Sequence, residues 1–148
     1  MQKYLFLFIP VFCTAKNLTL ESRINPPARE LMDVEIAGNI LIIPGNLEGY
    51  DFYDISGPDS PQHITNFEVP MNNRALPGFW VCVMDSFAYF TSRSMGPGSA
   101  ILDISDPSNP VYLGALLWEG NADPSFEGLD ARDSVLAIAA HDDGVGLF

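Results

Sequence analysis

A chain of 148 residues, 47% hydrophobic and 18% charged, has the size and make-up of one soluble folded domain, which argues against disorder over most of its length. Its 19 acidic and 7 basic residues leave a formal charge of −12, which repels phosphate backbones and anionic lipid and so argues against a generic nucleic-acid or membrane-surface binder. Twelve Pro and twelve Gly interrupt long helices and favour short elements joined by turns, so the reading is all-β.

Met1-Gln2-Lys3 is a short basic start, residues 4–12 are almost wholly apolar, and Cys13-Thr14-Ala15 puts small residues where a signal peptidase cuts. Residues 1–15 therefore read as a secretory signal peptide. They are too short for a membrane span, which asks for about 20 apolar residues. The expected location is secreted, periplasmic or cell-surface. Cys13 also admits a lipid-accepting reading, against which stands the bulky Phe12 before it. Without the leader, Lys3 is lost and the formal charge becomes −13. Cys82 is then the one remaining cysteine. It lies inside Val81-Cys82-Val83, where a small core residue is expected rather than a nucleophile.

Residues 16–33 combine Asn25-Pro26-Pro27 with Arg23 and Arg29 without any period, and read as a lead-in segment crossing the surface. Asn17-Leu18-Thr19 is a glycosylation acceptor in a host that glycosylates. From Val34 the chain lies in register with itself. Residues 34–43 align with 81–90 and then with 129–138, at offsets of 47 and 48. In each copy two strand-like runs flank a two-residue turn, Gly38-Asn39, Asp85-Ser86 or Asp133-Ser134, as a tight hairpin requires. A third strand follows at 50–55, 99–104 and 145–148. Next comes a corner, Asp54-Ile55-Ser56-Gly57-Pro58 or Asp103-Ile104-Ser105-Asp106-Pro107, in which Asp and Ser close local turns and Pro fixes φ. A fourth strand, His63 to Val69 or Val111 to Leu117, runs back. Antiparallel four-stranded meanders repeated every 47 to 49 residues are the pattern of β-propeller blades, which bury their faces against one another. The expected architecture is an incomplete ring with blades at 34–70 and 79–117 and a partial blade at 127–148.

Ile101-Leu102-Asp103-Ile104-Ser105-Asp106-Pro107 and Asp51-Phe52-Tyr53-Asp54-Ile55-Ser56 resemble LVIVD repeats, which occur in exported or surface proteins of bacteria and archaea. The resemblance spans residues 34–148 and implies a β-propeller, with no common catalytic residues to carry over. Gly57 stands where the first corner would carry an acid, and the third copy stops at Phe148, before its Asp-Ile-Ser. Closed propellers use about four to eight blades. Further blades are therefore expected, either from a longer gene product of which this chain is a fragment or from other copies by oligomerisation.

In such a meander the loop between strands two and three emerges at the same end as the loop joining successive sheets, and those are the long, differing loops here. Loop variation on a rigid β scaffold is where binding usually lies. That end carries the candidate ligand-binding residues Arg74, Arg93, Trp118, Glu127, His141 and Asp142, with Glu48, Asn72, Asn73, Met95, Glu119, Asp123 and Asp143 beside them. Trp118 with Arg74 or Arg93 offers a stacking surface for a sugar or peptide, against the plainer reading that Trp118 and Trp80 pack. His141-Asp142-Asp143-Gly144 holds metal-type ligand atoms, but adjacent residues rarely converge on one ion and a turn is the better reading. Asp123 and Glu127 are candidates for an acid-base pair, against solvated rim acids. Ser99 and Ser134 lack a nucleophile elbow, and Gly96-Pro97-Gly98 precedes a strand rather than the helix a phosphate loop needs. The expected function is a binding module for a protein, peptide or carbohydrate, with no cofactor. An exported hydrolytic or metal-dependent enzyme and a structural spacer of a surface protein are the alternatives.

Overall fold

The computed structural model describes residues 19–27, 30–71, 74–93, 96–121 and 124–148. The leader at 1–15, with Cys13, and the acceptor Asn17 lie outside the described residues, as do Asn72, Asn73, Met95 and Asp123; of Arg74 the backbone is described. Three antiparallel meanders follow one another. The first is β1 (Glu35–Ala37), β2 (Ile40–Pro44), β3 (Tyr50–Asp54) and β4 (Gln62–Phe67), paired in chain order. A small hairpin of β5 (Pro70–Met71) and β6 (Arg74–Ala75) leads to the second, built from β7 (Trp80–Met84), β8 (Phe87–Thr91), β9 (Ser99–Asp103) and β10 (Val111–Gly114). The third is β11 (Leu129–Arg132), β12 (Val135–Ala139) and β13 (Val145–Leu147), with a 3-10 turn at His141–Asp143 between its last two strands. No helix among the described residues is long and apolar enough to cross a membrane.

The same local chemistry shapes each meander. Gly38, Asp85 and Asp133 take positive φ of 61°, 55° and 56° at the hairpin turns, flanked by the pairs Ala37↔Ile40, Met84↔Phe87 and Arg132↔Val135. That left-handed backbone matches the right-handed twist of the flanking strands, and Gly and Asp reach it most readily. At the corners the Ser56 amide donates to the Asp54 carboxylate at 2.8 Å, and the Ser105 amide to Asp103 at 2.9 Å. Each corner is also tied to its hairpin turn by a 2.8 Å backbone bond, Ile55 N–H to the Asn39 carbonyl and Ile104 N–H to that of Ser86.

These bonds to the charged form hold the Asp103 carboxyl below its ordinary value of 3.8, the Ser105 amide being the largest cause. A carboxyl whose folded value is depressed stabilises the fold above the unfolded value, and that contribution is lost as pH falls through the folded one. Asp103→Ala is expected to lower the urea midpoint at pH 7 and to close much of the gap to wild type in strong acid. Parallel midpoints across that range would dissociate the corner from its Asx turn.

Packing sets the order of the sheets. Ile42, Tyr50 and Phe52 of the first sheet form one buried cluster with Val81, Ala88, Phe90 and Leu102 of the second, and the Tyr50 and Phe90 rings stack with centroids 3.9 Å apart. The opposite face of the second sheet, carrying Cys82 and Tyr89, meets Leu129, Leu136 and Ile138 of the third. The second sheet is thus covered on both faces, which is why its strands read as nearly continuous apolar runs. The leading strands β1 and β11 lie on either side of β7. The lead-in does more than cross the surface: Ile24, Pro26, Leu31 and Val34 flank a groove against Leu41 and Ile43 on the remaining face of the first sheet. Its Ser22 hydroxyl donates to the Pro58 carbonyl at 2.6 Å, and its Asp33 carboxylate accepts from the Val81 amide at 3.1 Å. On the third sheet, Val135, Val145 and Leu147 remain exposed.

Candidate binding site at the long-loop end

Antiparallel order brings the start of β7, the end of β8 and the segment before β11 together at one end of the molecule. Phe79 N–H donates to the Thr91 carbonyl at 2.8 Å, Phe126 N–H to that of Ser92 at 3.1 Å, and the Thr91 hydroxyl to that of Glu127 at 2.6 Å. These bonds fix the bases of two loops against each other and carry Arg93 and Glu127, 34 positions apart, into a bidentate ion pair. Arg93 Nε lies 2.9 Å from Glu127 Oε1, and Nη2 lies 2.9 Å from Oε2. The guanidinium carbon sits 5.2 Å from the centroid of the Trp80 ring, which abuts Phe79. Arg93 is 57% exposed and Glu127 22%, so the guanidinium stands over an indole and beside a carboxylate while remaining open to solvent. The preceding residue, Ser92, is fully buried and its hydroxyl has no partner among the described residues.

No protein-family model matches the chain. No curated protein matches it either. Among solved structures it is similar to the computationally designed Ika4 protein, with 11% identity over 89% of this chain and 98% of that one and a TM-score of 0.47.

The sequence-derived candidates separate into distinct neighbourhoods. Arg93 and Glu127 meet, and the aromatic partner of Arg93 is Trp80 rather than Trp118. Trp118 packs edge-on against Phe126 at 5.5 Å and tilted against Phe148 at 6.2 Å, over Gly146. His141 and Asp142 lie in the exposed 3-10 turn, closed by a 2.7 Å bond from the Ala140 amide to the Gly144 carbonyl; His141 Nδ1 is 3.2 Å from the Asp142 carboxylate. Arg74 pairs through its backbone with Met71 in the small hairpin. Among the described residues no group of three or more His, Cys, Asp and Glu side chains is arranged to hold a metal ion. The Asp123 and Glu127 pair lies half outside the described residues.

Two polar features have no counterpart in the sequence reading. On the first sheet, buried Asp51 accepts from Asn66 at 3.2 Å and lies 3.1 Å from His63 Nε2, bracing β3 against β4. Around the leading strands, burial pushes the Glu35 carboxyl above its ordinary value and nearby Asp33 and Asp130 add to the rise, against a lowering bond from the Val83 amide. Burial likewise pushes the Cys82 thiol up to about 12, with Glu35, Asp130 and Asp33 contributing. A thiol so rarely ionised at neutral pH packs but does not attack. The long-loop end thus sets a guanidinium, two of whose nitrogens are engaged by Glu127, beside an indole, groups able to contact a carbonyl or a flat ring face.

Proposed function

We propose that this protein is an exported β-propeller of the LVIVD-repeat type that acts as a binding module through its long-loop end, for a protein, peptide or carbohydrate ligand. The observation that carries the binding reading is the Arg93 guanidinium, locked by Glu127 over Trp80 yet open to solvent. An exposed Arg held in one orientation loses little side-chain freedom on binding, which is what recognition of planar or anionic groups rewards. The propeller reading is supported by three successive meanders stacked in chain order and by hairpin turns of like φ at aligned positions. In this reading a further sheet covers Val145 and Leu147, as the third sheet covers the matching side of the second. Export is supported by the basic and apolar start of the sequence.

Arrays of immobilised peptides and glycans test the site. Arg93→Ala and Trp80→Ala are each expected to weaken the strongest bound ligand by about tenfold or more, the scale of a lost Arg or Trp anchor, while leaving the circular dichroism spectrum unchanged. Ligand binding indifferent to both substitutions would remove the long-loop end from consideration. Secretion into the medium with a new N-terminus near residue 16 is the expected result for export.

A further inference from the structure

β13 borders the third sheet with one side of its backbone unused. The Ala140 amide donates to the Gly144 carbonyl at 2.7 Å, and Leu136 and Phe148 exchange backbone bonds of 3.0 and 2.9 Å, so Gly144 and Phe148 turn polar groups toward β12. Backbone groups alternate in direction along an antiparallel strand. The register Ala137↔Leu147, Ile138↔Gly146, Ala139↔Val145 therefore aims the N–H and C=O of Val145 and Leu147 away from β12. Among the described residues no strand lies on that side. The side chains are open too, Val145 at 70% and Leu147 at 72%.

The first two sheets show what occupies this place. Ile42, Tyr89 and Ala137 are equivalent in the repeat, and their partners on the third strand are Phe52, Ile101 and Leu147. Phe52 pairs onward with Thr65 of β4, and Ile101 with Gly114 of β10. Both occupants are antiparallel strands. Each also carries an extra residue, Ile64 or Leu113, that breaks its register, and such bulges discourage a further strand from pairing beyond. β13 has no such device: its register with β12 is unbroken, and residues 144–148 hold neither charge nor proline. Charge beside its start is of one sign. Asp142 and Asp143 are exposed there, with His141 and Asn121 each engaging one carboxylate oxygen.

We propose that β13 takes up an extended segment of another polypeptide as the fourth strand of the third sheet. The segment runs antiparallel, is uncharged where it faces Val145 and Leu147, and is basic at its C-terminal end, where it passes Asp142 and Asp143. A second copy's β13 is the poorer occupant, since it brings no base and a formal charge of −12 with it. The proposal rests on the strand order of the sheets and not on a closed ring or on the Arg93 end.

The probe is a fluorescein-labelled peptide, Thr-Val-Thr-Val-Thr-Lys-Lys, titrated with the full chain by fluorescence anisotropy. Saturable binding is expected, with slowed hydrogen exchange at the Val145 and Leu147 amides in the bound form. Leu147→Pro removes an outward donor and none of the bonds to β12, a position where a strand tolerates proline. It should weaken binding about tenfold, the upper range for one lost hydrogen bond, with the circular dichroism spectrum retained. Replacing both lysines of the probe by glutamate should abolish binding to the wild-type chain. Absence of saturable binding overturns the proposal, as does binding that leaves exchange at Val145 and Leu147 unchanged. A dimer in gel filtration that Leu147→Pro disperses would give the edge to a second copy and overturns it equally.

Discussion

Phe90→Ala is expected to destabilise the fold by about 3–5 kcal/mol, the usual cost of emptying a fully buried aromatic site. Phe90 has no exposure and stands at the centre of the contact between the first two sheets, stacked on Tyr50 with the ring planes 13° apart. Ile42, Phe52, Val81 and Leu102 close around the pair, and none can move into the vacated volume without leaving its place in a strand ladder. At roughly 2–4 °C per kcal/mol for a chain of this size, the melting midpoint should fall by about 10 °C. Phe90→Leu keeps most of the volume and should cost less than half as much. A change for Phe90→Ala within about 1 kcal/mol would mean that the two sheets do not seal against each other.

Gly78→Ala is expected to cost about 2–3 kcal/mol, although it adds only a methyl group, because overfilling a packed site forces its neighbours off their rotamers. A Cβ at Gly78 would come within 2.3 Å of Tyr50 Cε1. The ring has nowhere to retreat: Phe90 stacks on one side and the Tyr50 hydroxyl donates to the Leu76 carbonyl at 3.2 Å. Gly78 itself is held by a paired bridge, Asn46 N–H to its carbonyl at 3.1 Å and its own N–H to the Asn46 carbonyl at 3.3 Å, joining the first sheet's loop to the approach of β7. Its φ is not in the left-handed region, so the penalty is steric and should shrink in the double variant Gly78→Ala/Tyr50→Leu. Undiminished loss in the double variant would locate the strain elsewhere.

The meanders were legible because they rest on local signals. Alternating and continuous apolar runs, turn pairs that accept positive φ, and Asp-x-Ser corners are each decided within a few residues. The strands fall at 35–37, 40–44, 50–54 and 62–67 where the sequence places them, and the hairpins at Asp85 and Asp133 follow at the expected offsets. The β5–β6 hairpin was not legible, because two-residue strands opening on Pro70 carry no periodicity. Nor was the lead-in's position on the first sheet, since its apolar residues Ile24, Leu31 and Val34 are irregularly spaced and are recruited by a surface formed elsewhere. For the candidate site, loop length pointed to the end that carries Arg93, Glu127, Trp118 and His141. Which of them touch depends on backbone bonds between loops 34 positions apart, and no sequence period encodes those. A cleft of about 490 Å³ opens at the other end, where short turns gave no reason to look.

Every strand in a meander pairs with the strand just before or after it, so each sheet closes only short loops as it forms, and chain entropy opposes that step weakly. Zipping within a sheet is therefore quick, whereas stacking must bring together groups such as Tyr50 and Phe90 from far along the chain. Stability acquired in that later step is shared between the sheets that meet in it. The middle sheet, clasped from both sides, becomes the last to exchange its amide protons, and the third sheet, clasped from one, among the first.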